Sequence, residues 1–278
     1  MTFSLTRVLA LAAALATAPA LHALEEVPFI TSPDNVTLEM LRIAGVVASD
    51  HVIDLGSGDG RIVILAARRF GASGLGVEIV PDLVERSLKS ARDAGVAQRV
   101  DFRVQDLFQT DLAPATVVTM YLLTEVNLQL RPALLALRPG VRVVSHDWDM
   151  GDWKPDQTTV LQVPDKKVGM EKSSKVHLWV VPARVEGQWC GNGLLRGTAL
   201  QLAQKYQQFE GTLVRGDRVR KVDGRIEGDM LRTSAASAGR AGELVLRLEG
   251  ERLLIVTAGG PLVLAQGMSF HRASGAGC

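Results

Sequence analysis

Apolar residues follow two different rhythms along this chain. From Val27 to about Pro182, short apolar runs alternate with amphipathic ones. Residues 36–47, "VTLEMLRIAGVV", carry apolar side chains at helical spacing. Then come a strand pattern "HVIDL", a helix pattern "RIVILAARRF", a strand "GLGVEI" and a helix "PDLVERSLKSARDAG". The strands "VDFRVQD" and "ATVVTMYLL", the helix "EVNLQLRPALLAL" and the strand "VRVVSHD" continue the series. "TTVLQVP" and "KVHLWVVP" close it as two consecutive strands, which predicts a terminal hairpin. Short apolar strands alternating with amphipathic helices predict an α/β unit with a mostly parallel sheet, covered by helices on both faces.

After Pro182 the period becomes two. "GQWCG", "TALQLAQKYQQFEGTLVR", "RVRKVDGRIEGDML", "GELVLRLEGERLLIVTAGG" and "LVLAQGMSFHRA" read as short strands joined by glycine turns, with Leu244, Leu246 and Leu248 on one face. A small C-terminal antiparallel β domain, sheet or barrel, is expected, with a boundary near Arg184. Gly187 and Trp189 form a G-x-W followed by strands, which is similar to small barrels such as lipocalins. Trp189 is expected to plug the core. His271 is lone, and its expected role is structural or exposed. Arg218, Arg220, Lys221 and Arg225 form a basic strand region. A solvated face is its first reading, and a partner or anionic lipid contact the second.

The first 23 residues obey neither rhythm. Arg7 precedes an apolar run from Val8 to about Ala18, and the small residues Ala18-Pro19-Ala20 and Leu21-His22-Ala23 follow. This is the layout of a secretory signal peptide, with an uncleaved anchor as the alternative. No twin-arginine pair precedes the run. The expected division is 1–23 signal peptide or anchor, 24–183 α/β domain and 184–278 β domain. The expected location is exported (periplasmic) or anchored to the inner membrane. In an oxidising compartment Cys190 and Cys278 could pair and tie the β domain to the C-terminus. The loose look of "RASGAGC" favours two unpaired thiols. Over 278 residues the formal net charge is +1, which excludes a broad electrostatic grip on nucleic acid.

The chemistry concentrates in "DLGSGDGR", residues 54–61. Gly56, Ser57, Gly58 and Gly60 form a tight turn between a strand and a helix whose N-terminus faces the same place. A dinucleotide site wants G-x-G-x-x-G, and the third glycine position is Arg61. The acids Asp54 and Asp59 disfavour a pyrophosphate and suit a cationic ligand without phosphate, as S-adenosylmethionine is. Glu78, at the end of the next strand, can accept from both ribose hydroxyls. Asp106, read as the end of the third strand, can accept from the adenine amino group while Leu107 or Phe108 packs on the ring. Acids also cap strand ends and helix starts, so each singly has a structural reading.

These stretches carry a resemblance. "VPFITSPDNV", "VIDLGSGDGRIVI", "RVDFRVQDLFQTDL", "YLLTEVNLQLRP" and "RPGVRVVSHDWDMGDW" resemble class I S-adenosylmethionine-dependent methyltransferases. More narrowly they resemble the protein-lysine methyltransferase family that includes the mitochondrial ATP synthase c-subunit lysine methyltransferase and its bacterial relatives. The resemblance covers residues 27–155 and stops short of the β domain. Thr124 stands where the family pattern has proline, and Thr-Ser-Pro where a Thr-Pro pair is usual. The resemblance implies a Rossmann-like fold, S-adenosyl-L-methionine as cofactor, and a lysine of a protein, an integral membrane protein among the candidates, as acceptor. A monomer is expected.

On the acceptor side, the fourth strand delivers Tyr121, which can line the channel or accept from the amine, or simply pack on its neighbours. The fifth delivers His146, Asp147 and Trp148, with Asp149, Asp152 and Trp153 beyond. Aromatics beside acids suit a cationic amine. Tyr121 and Asp147 are the catalytic candidates; Phe29, His146 and Trp148 are the substrate-binding candidates. A metal is not expected, since His146 and Asp147 alternate faces and no second histidine lies nearby. Three readings stay open: a membrane-anchored lysine methyltransferase facing the cytosol, an exported module that binds a nucleoside or small cation without catalysis, and an exported interaction protein that kept the fold alone.

Overall fold

The computed structural model describes residues 30–166, 171–234, 243–275 and 278. The signal-like segment and Phe29 lie outside the described residues. Among the described residues, no helix is long and apolar enough to cross a membrane.

The α/β part follows the alternation closely. It opens with α1 (Asp34–Ile43) and β1 (His51–Leu55), then α2 (Arg61–Leu65), β2 (Ser73–Glu78) and α3 (Pro81–Asp93). β3 (Val100–Val104), β4 (Val117–Met120), α4 (Thr124–Leu135), β5 (Arg142–His146), β6 (Gln157–Gln162) and β7 (Ser173–Val180) complete it. The seven strands form one sheet in the order β3-β2-β1-β4-β5-β7-β6. The five strands from the β3 edge to β5 run parallel, and β7 lies antiparallel to both β5 and β6, as the consecutive strand patterns predict. Both faces are covered, so the central strands are buried over nearly their whole length, β4 throughout. Ile53, Leu55, Val118, Met120, Trp153 and Trp179 fill one side of the sheet, and Met40, Leu41, Val52, Val117 and Val144 the other.

Two local expectations need correction. The helix "RIVILAARRF" keeps α geometry only to Leu65; Ala66–Phe70 is a π turn that stops at Gly71, φ +75°. The wide turn brings the Ala72 N–H onto Ala66 O and leads straight into β2. β3 stops at Val104, so Asp106 is not a strand end. Its Oδ1 accepts from the Phe108 N–H and caps a 3-10 turn, Leu107–Gln109.

The C-terminal part is a closed barrel. β8 (Gly187–Gly191), β9 (Thr198–Lys205), β10 (Gln208–Arg215), β11 (Arg218–Glu227), β12 (Met230–Thr233), β13 (Leu244–Glu249), β14 (Arg252–Ala258) and β15 (Ser269–Arg272) are antiparallel, and β15 returns to β8. Closure removes the sheet edges that this many short strands would otherwise expose. Trp189 is fully buried in the barrel core and donates its ring N–H to Val185 O. The Arg272 guanidinium lies 4.3 Å over its ring and binds the carbonyls of Arg184 and Glu186. His271 is exposed and bonds Asn192. Cys190 and Cys278 form a disulfide, which corrects the unpaired reading. The tail is brought back by Ala273, whose N–H bonds Gln188 O beside Cys190.

One end of the barrel rests on the α/β part. Tyr206 donates to Asp152, Gln207 donates to Lys154 O, and Arg225 pairs with Asp156. The Ala183 N–H donates to Gly228 O.

Candidate functional site

The carboxyl ends of β1, β2, β4 and β5 converge on one rim, as expected of a sheet whose order reverses between β1 and β4. At the tip of β1 the backbone turns through three left-handed glycines, Gly56, Gly58 and Gly60. The need for glycine is sharpest at Gly60. A Cβ there would fall 2.7 Å from the Phe102 ring and 2.9 Å from Ser87 Cβ. On the neighbouring strand, a Cβ on Gly76 would meet the same ring at 2.5 Å and Ser57 Oγ at 2.7 Å. The loop thus packs without side chains against β2 and β3.

Glu78 holds this loop. Its Oε2 accepts from the Gly58 N–H at 3.0 Å, and its Oε1 from the N–H groups of Ile79 and Val80. The N–H groups of Gly56 and Ser57 both bond Val77 O. Ser57 Oγ is buried without a protein partner and lies against Gly76 of β2. Asp54 lies below the turn, 2 % exposed, accepting from Thr119 Oγ1 at 2.7 Å. Burial raises its pKa to about 7; the Thr119 bond opposes this, and the nearby charges of Glu78 and Asp59 add to it. A cation seated beside Asp54 would restore its charge. Asp59 is spoken for by Arg61, whose guanidinium also donates to Ser32 O at 2.9 Å. That bond ties the glycine loop to the segment before α1.

The acceptor side is built around a buried histidine. His146, expected on the substrate surface, is instead 1 % exposed, between Ser32 Oγ at 2.8 Å from Nδ1 and Ser174 Oγ at 2.9 Å from Nε2. Its pKa falls to about 4, chiefly through burial; Asp147 pulls it up and Lys166 pushes it down. The neutral ring stacks under Tyr121 with centroids 3.9 Å apart. His146 therefore supports Tyr121 from inside rather than meeting a substrate itself. Burial first, and then the Asp147 charge, push the Tyr121 phenol pKa up, so it keeps its proton at neutral pH. The next residue, Leu122, leans on the glycine loop, 3.0 Å from where a Gly56 Cβ would lie. Tyr121 thus stands beside the cofactor turn.

Asp147 sits in the left-handed region, φ +62°, a conformation costly for a residue with a Cβ. Its Oδ2 pairs with Lys166 at 2.7 Å and its Oδ1 accepts from the Lys175 N–H. The carboxylate of this catalytic candidate is thus bonded on both oxygens to neighbours. Trp148 is exposed, as are Leu123, two residues after Tyr121, and Leu128 on α4, which lies against Gly151. Leu107 and Phe108 lie on the turn that Asp106 caps, Phe108 exposed on the rim and Leu107 half-buried. Among the described residues no cluster of His, Cys, Asp and Glu could hold a metal.

Sequence reasoning missed Ser32, Ser174, Lys166 and Asn127. Asn127, fully buried on α4, donates to Ser145 Oγ and to the carbonyls of Trp148 and Asp149, holding the post-β5 loop. Asn127 left a signal inside the Glu-Val-Asn motif, and Ser32 one inside the Thr-Ser-Pro of the opening stretch. Ser174 and Lys166 come from a distant segment with no motif of its own.

The donor set fits S-adenosylmethionine. A buried carboxylate able to regain its charge, an unpartnered Ser57 hydroxyl and a side-chain-free loop answer a cationic nucleoside. One stability effect follows. The unfolded Asp54 pKa is about 3.9. Because the folded value is raised, the stability it confers is complete below about pH 4 and lost as pH rises through 7. Asp54→Asn should therefore unfold like wild type at pH 4. By pH 8 the cofactor-free variant should be more stable by about 2–4 kcal/mol in urea melts. A gain that does not change with pH would refute the buried-charge assignment.

Comparison with known proteins agrees with this geometry. Residues 54–157 match the family model of the ANTKMT methyltransferase domain. A protein-lysine N-methyltransferase of Saccharolobus islandicus is 40% identical over 157 residues, covering 56% of this chain and 94% of that protein. The ATP synthase c-subunit lysine N-methyltransferase of Mus musculus is 38% identical over 109 residues, 39% of this chain and 44% of that protein. Of that relative, then, the chain spans less than half. A crystal structure of an RNA methyltransferase from Salinibacter ruber, in complex with S-adenosyl-L-homocysteine, shares 50% identity at a TM-score of 0.50. It covers 56% of this chain and 96% of that one. The chain belongs to the class I S-adenosylmethionine-dependent methyltransferases, in the family of the protein-lysine N-methyltransferases.

Proposed function

We propose that this methyltransferase acts on the amine of a protein lysine, and that the protein is an integral membrane one. The carrying observation is exposed apolar surface on the segments that follow β4 and β5. Leu123, two residues after Tyr121, Leu128 on α4 and Trp148, two residues after His146, are all exposed. A basic rim would suit RNA. Here Arg131, the nearby cation on α4, is taken up by Asp152 and Met150 O. The relatives add support, for several are ATP synthase c-subunit lysine N-methyltransferases, and one is an adenine nucleotide translocase lysine N-methyltransferase.

The chemistry asks little covalent work of the protein. Bound S-adenosylmethionine supplies an electrophilic methyl on a sulfonium. Asp54 and Glu78 seat the cofactor, Leu122 backs the glycine turn, and Tyr121 lines the approach. A free lysine has a pKa near 10.4 and must reach the methyl neutral. Apolar surroundings lower that pKa by favouring the uncharged amine. The Tyr121 oxygen offers the amine a hydrogen-bond acceptor and so orients its lone pair. The nitrogen then bonds the methyl carbon as the carbon–sulfur bond breaks, the electron pair stays on sulfur, and the nitrogen's proton passes to water. Alignment and exclusion of water supply most of the rate.

The experiment is transfer of tritiated methyl to a membrane extract. Label should enter a membrane fraction, disappear with protease, survive nuclease and be absent with Asp54→Ala. Nuclease-sensitive label would replace the protein acceptor with RNA. No label above the Asp54→Ala control would favour a binding module without catalysis.

A further inference from the structure

Among the described residues, the large apolar side chains that the barrel leaves exposed share one end. Leu194 is 77 % exposed, Val219 66 %, Val263 53 % and Leu264 83 %. They come from three separate connections. Leu194 lies on the 3-10 turn between β8 and β9, and Val263 and Leu264 on the one between β14 and β15. Val219 follows the Gly216–Asp217 turn between β10 and β11. Antiparallel register puts all three connections at the same end: Arg215 pairs across from both Thr198 and Arg218. The Asn192 N–H bonds Ser269 O, joining the two 3-10 connections, and Arg215 Nη2 donates to Leu194 O. Leu195 and Ala265, their inward neighbours, pack with the barrel core, so the outward tips are not needed to close it.

The same connections are basic. Arg196, Arg215 and Arg218 are exposed, and none is ion-paired with a described residue. Asp217 is the one acid in segments 193–197, 215–219 and 259–267. The opposite end of the barrel is the one seated on the α/β part, through Tyr206, Gln207 and Gly228, so this end is free of it.

Apolar tips ringed by arginines match the boundary of an anionic bilayer. The leucines enter among the acyl chains while the guanidinium groups meet lipid phosphates. We infer that this barrel end docks peripherally on a membrane rich in anionic lipid. The docking surface is separate from the methyl-acceptor rim, and its binding is read without any methyl transfer.

Vesicle flotation of the full chain tests it. Binding to phosphatidylcholine vesicles with 30% phosphatidylglycerol should exceed binding to phosphatidylcholine alone by about tenfold or more, and should fall in high salt, since each arginine near an anionic surface contributes about fivefold. Leu194→Asp with Leu264→Asp should abolish it. Arg215→Gln with Arg218→Gln should weaken it about 10–25-fold. Unchanged cofactor binding and melting would show that the variants are folded. Failure of wild type to float, equal binding to both vesicles, or binding untouched by either double variant would overturn the inference. So would a wild-type dimer that the leucine variants dissociate without any vesicle binding, which would make the patch a contact between copies.

Discussion

Glu78→Ala should lower affinity for S-adenosylmethionine by about 100-fold or more in calorimetric titration. Two effects combine. On the sequence reading the carboxylate accepts from both ribose hydroxyls, and each such charge-assisted bond would contribute about 1.5–3 kcal/mol. The same carboxylate also holds the N–H groups of Gly58, Ile79 and Val80, so its loss releases the glycine turn that shapes the pocket. Glu78→Gln keeps an acceptor oxygen without the charge and should fall between. The two roles separate in the cofactor-free protein. If Glu78 serves only the loop, a Gln variant that restores loop order should bind within about twofold of wild type; restored order with affinity still at least about tenfold down places the charge on the cofactor. Equal binding by wild type and Ala would remove Glu78 from the cofactor site.

The second large effect lies in the barrel. The Cys190–Cys278 bond closes a loop across 88 residues, nearly the whole barrel. Loop closure of that length removes about 4.5 kcal/mol worth of unfolded-state entropy, with native-state effects setting how much of it appears. Cys278→Ser, or reductant, should lower barrel stability by about 2–4.5 kcal/mol in denaturant melts, and hydrogen exchange should quicken first in β8 and β15. Cofactor affinity should stay within twofold, because no residue of the glycine loop or of the His146 cluster comes from the barrel. A variant that melts like wild type would show that β15 pairing alone secures the C-terminus.

Both effects bear on what is legible in the sequence alone. Strand and helix order was legible because a sheet buried on both faces forces continuous apolar strands, as in "HVIDL" and "VVTM". The barrel was legible in outline from period-two runs, and Trp189 from its spacing. The glycine turn and Glu78 were legible because close backbone approach restricts residue choice. Other features depend on long-range geometry that no local pattern records. The tail looked loose because "RASGAGC" has no apolar period, yet a single bond to Gln188 and the disulfide hold it. Asp106 looked like a strand end because "FRVQD" alternates through it; its own side chain, bonding Phe108 N–H, starts a 3-10 turn instead. His146 looked like a surface residue beside acids. Its environment is set by Ser32, 114 positions away, and Ser174. Asp147's partner left no local trace because Lys166 lies in the connection between β6 and β7.

The central proposal is that the site beside Tyr121 delivers a methyl group to a lysine of a membrane protein. The most direct measurement takes membranes labelled by the full-length enzyme and tritiated S-adenosylmethionine, hydrolyses them to amino acids and nucleosides, and separates the products. The label is expected in mono-, di- or trimethyl-lysine, and none when Asp54→Ala replaces wild type. Label recovered in a nucleoside, or in an amino acid other than lysine, would contradict the claim.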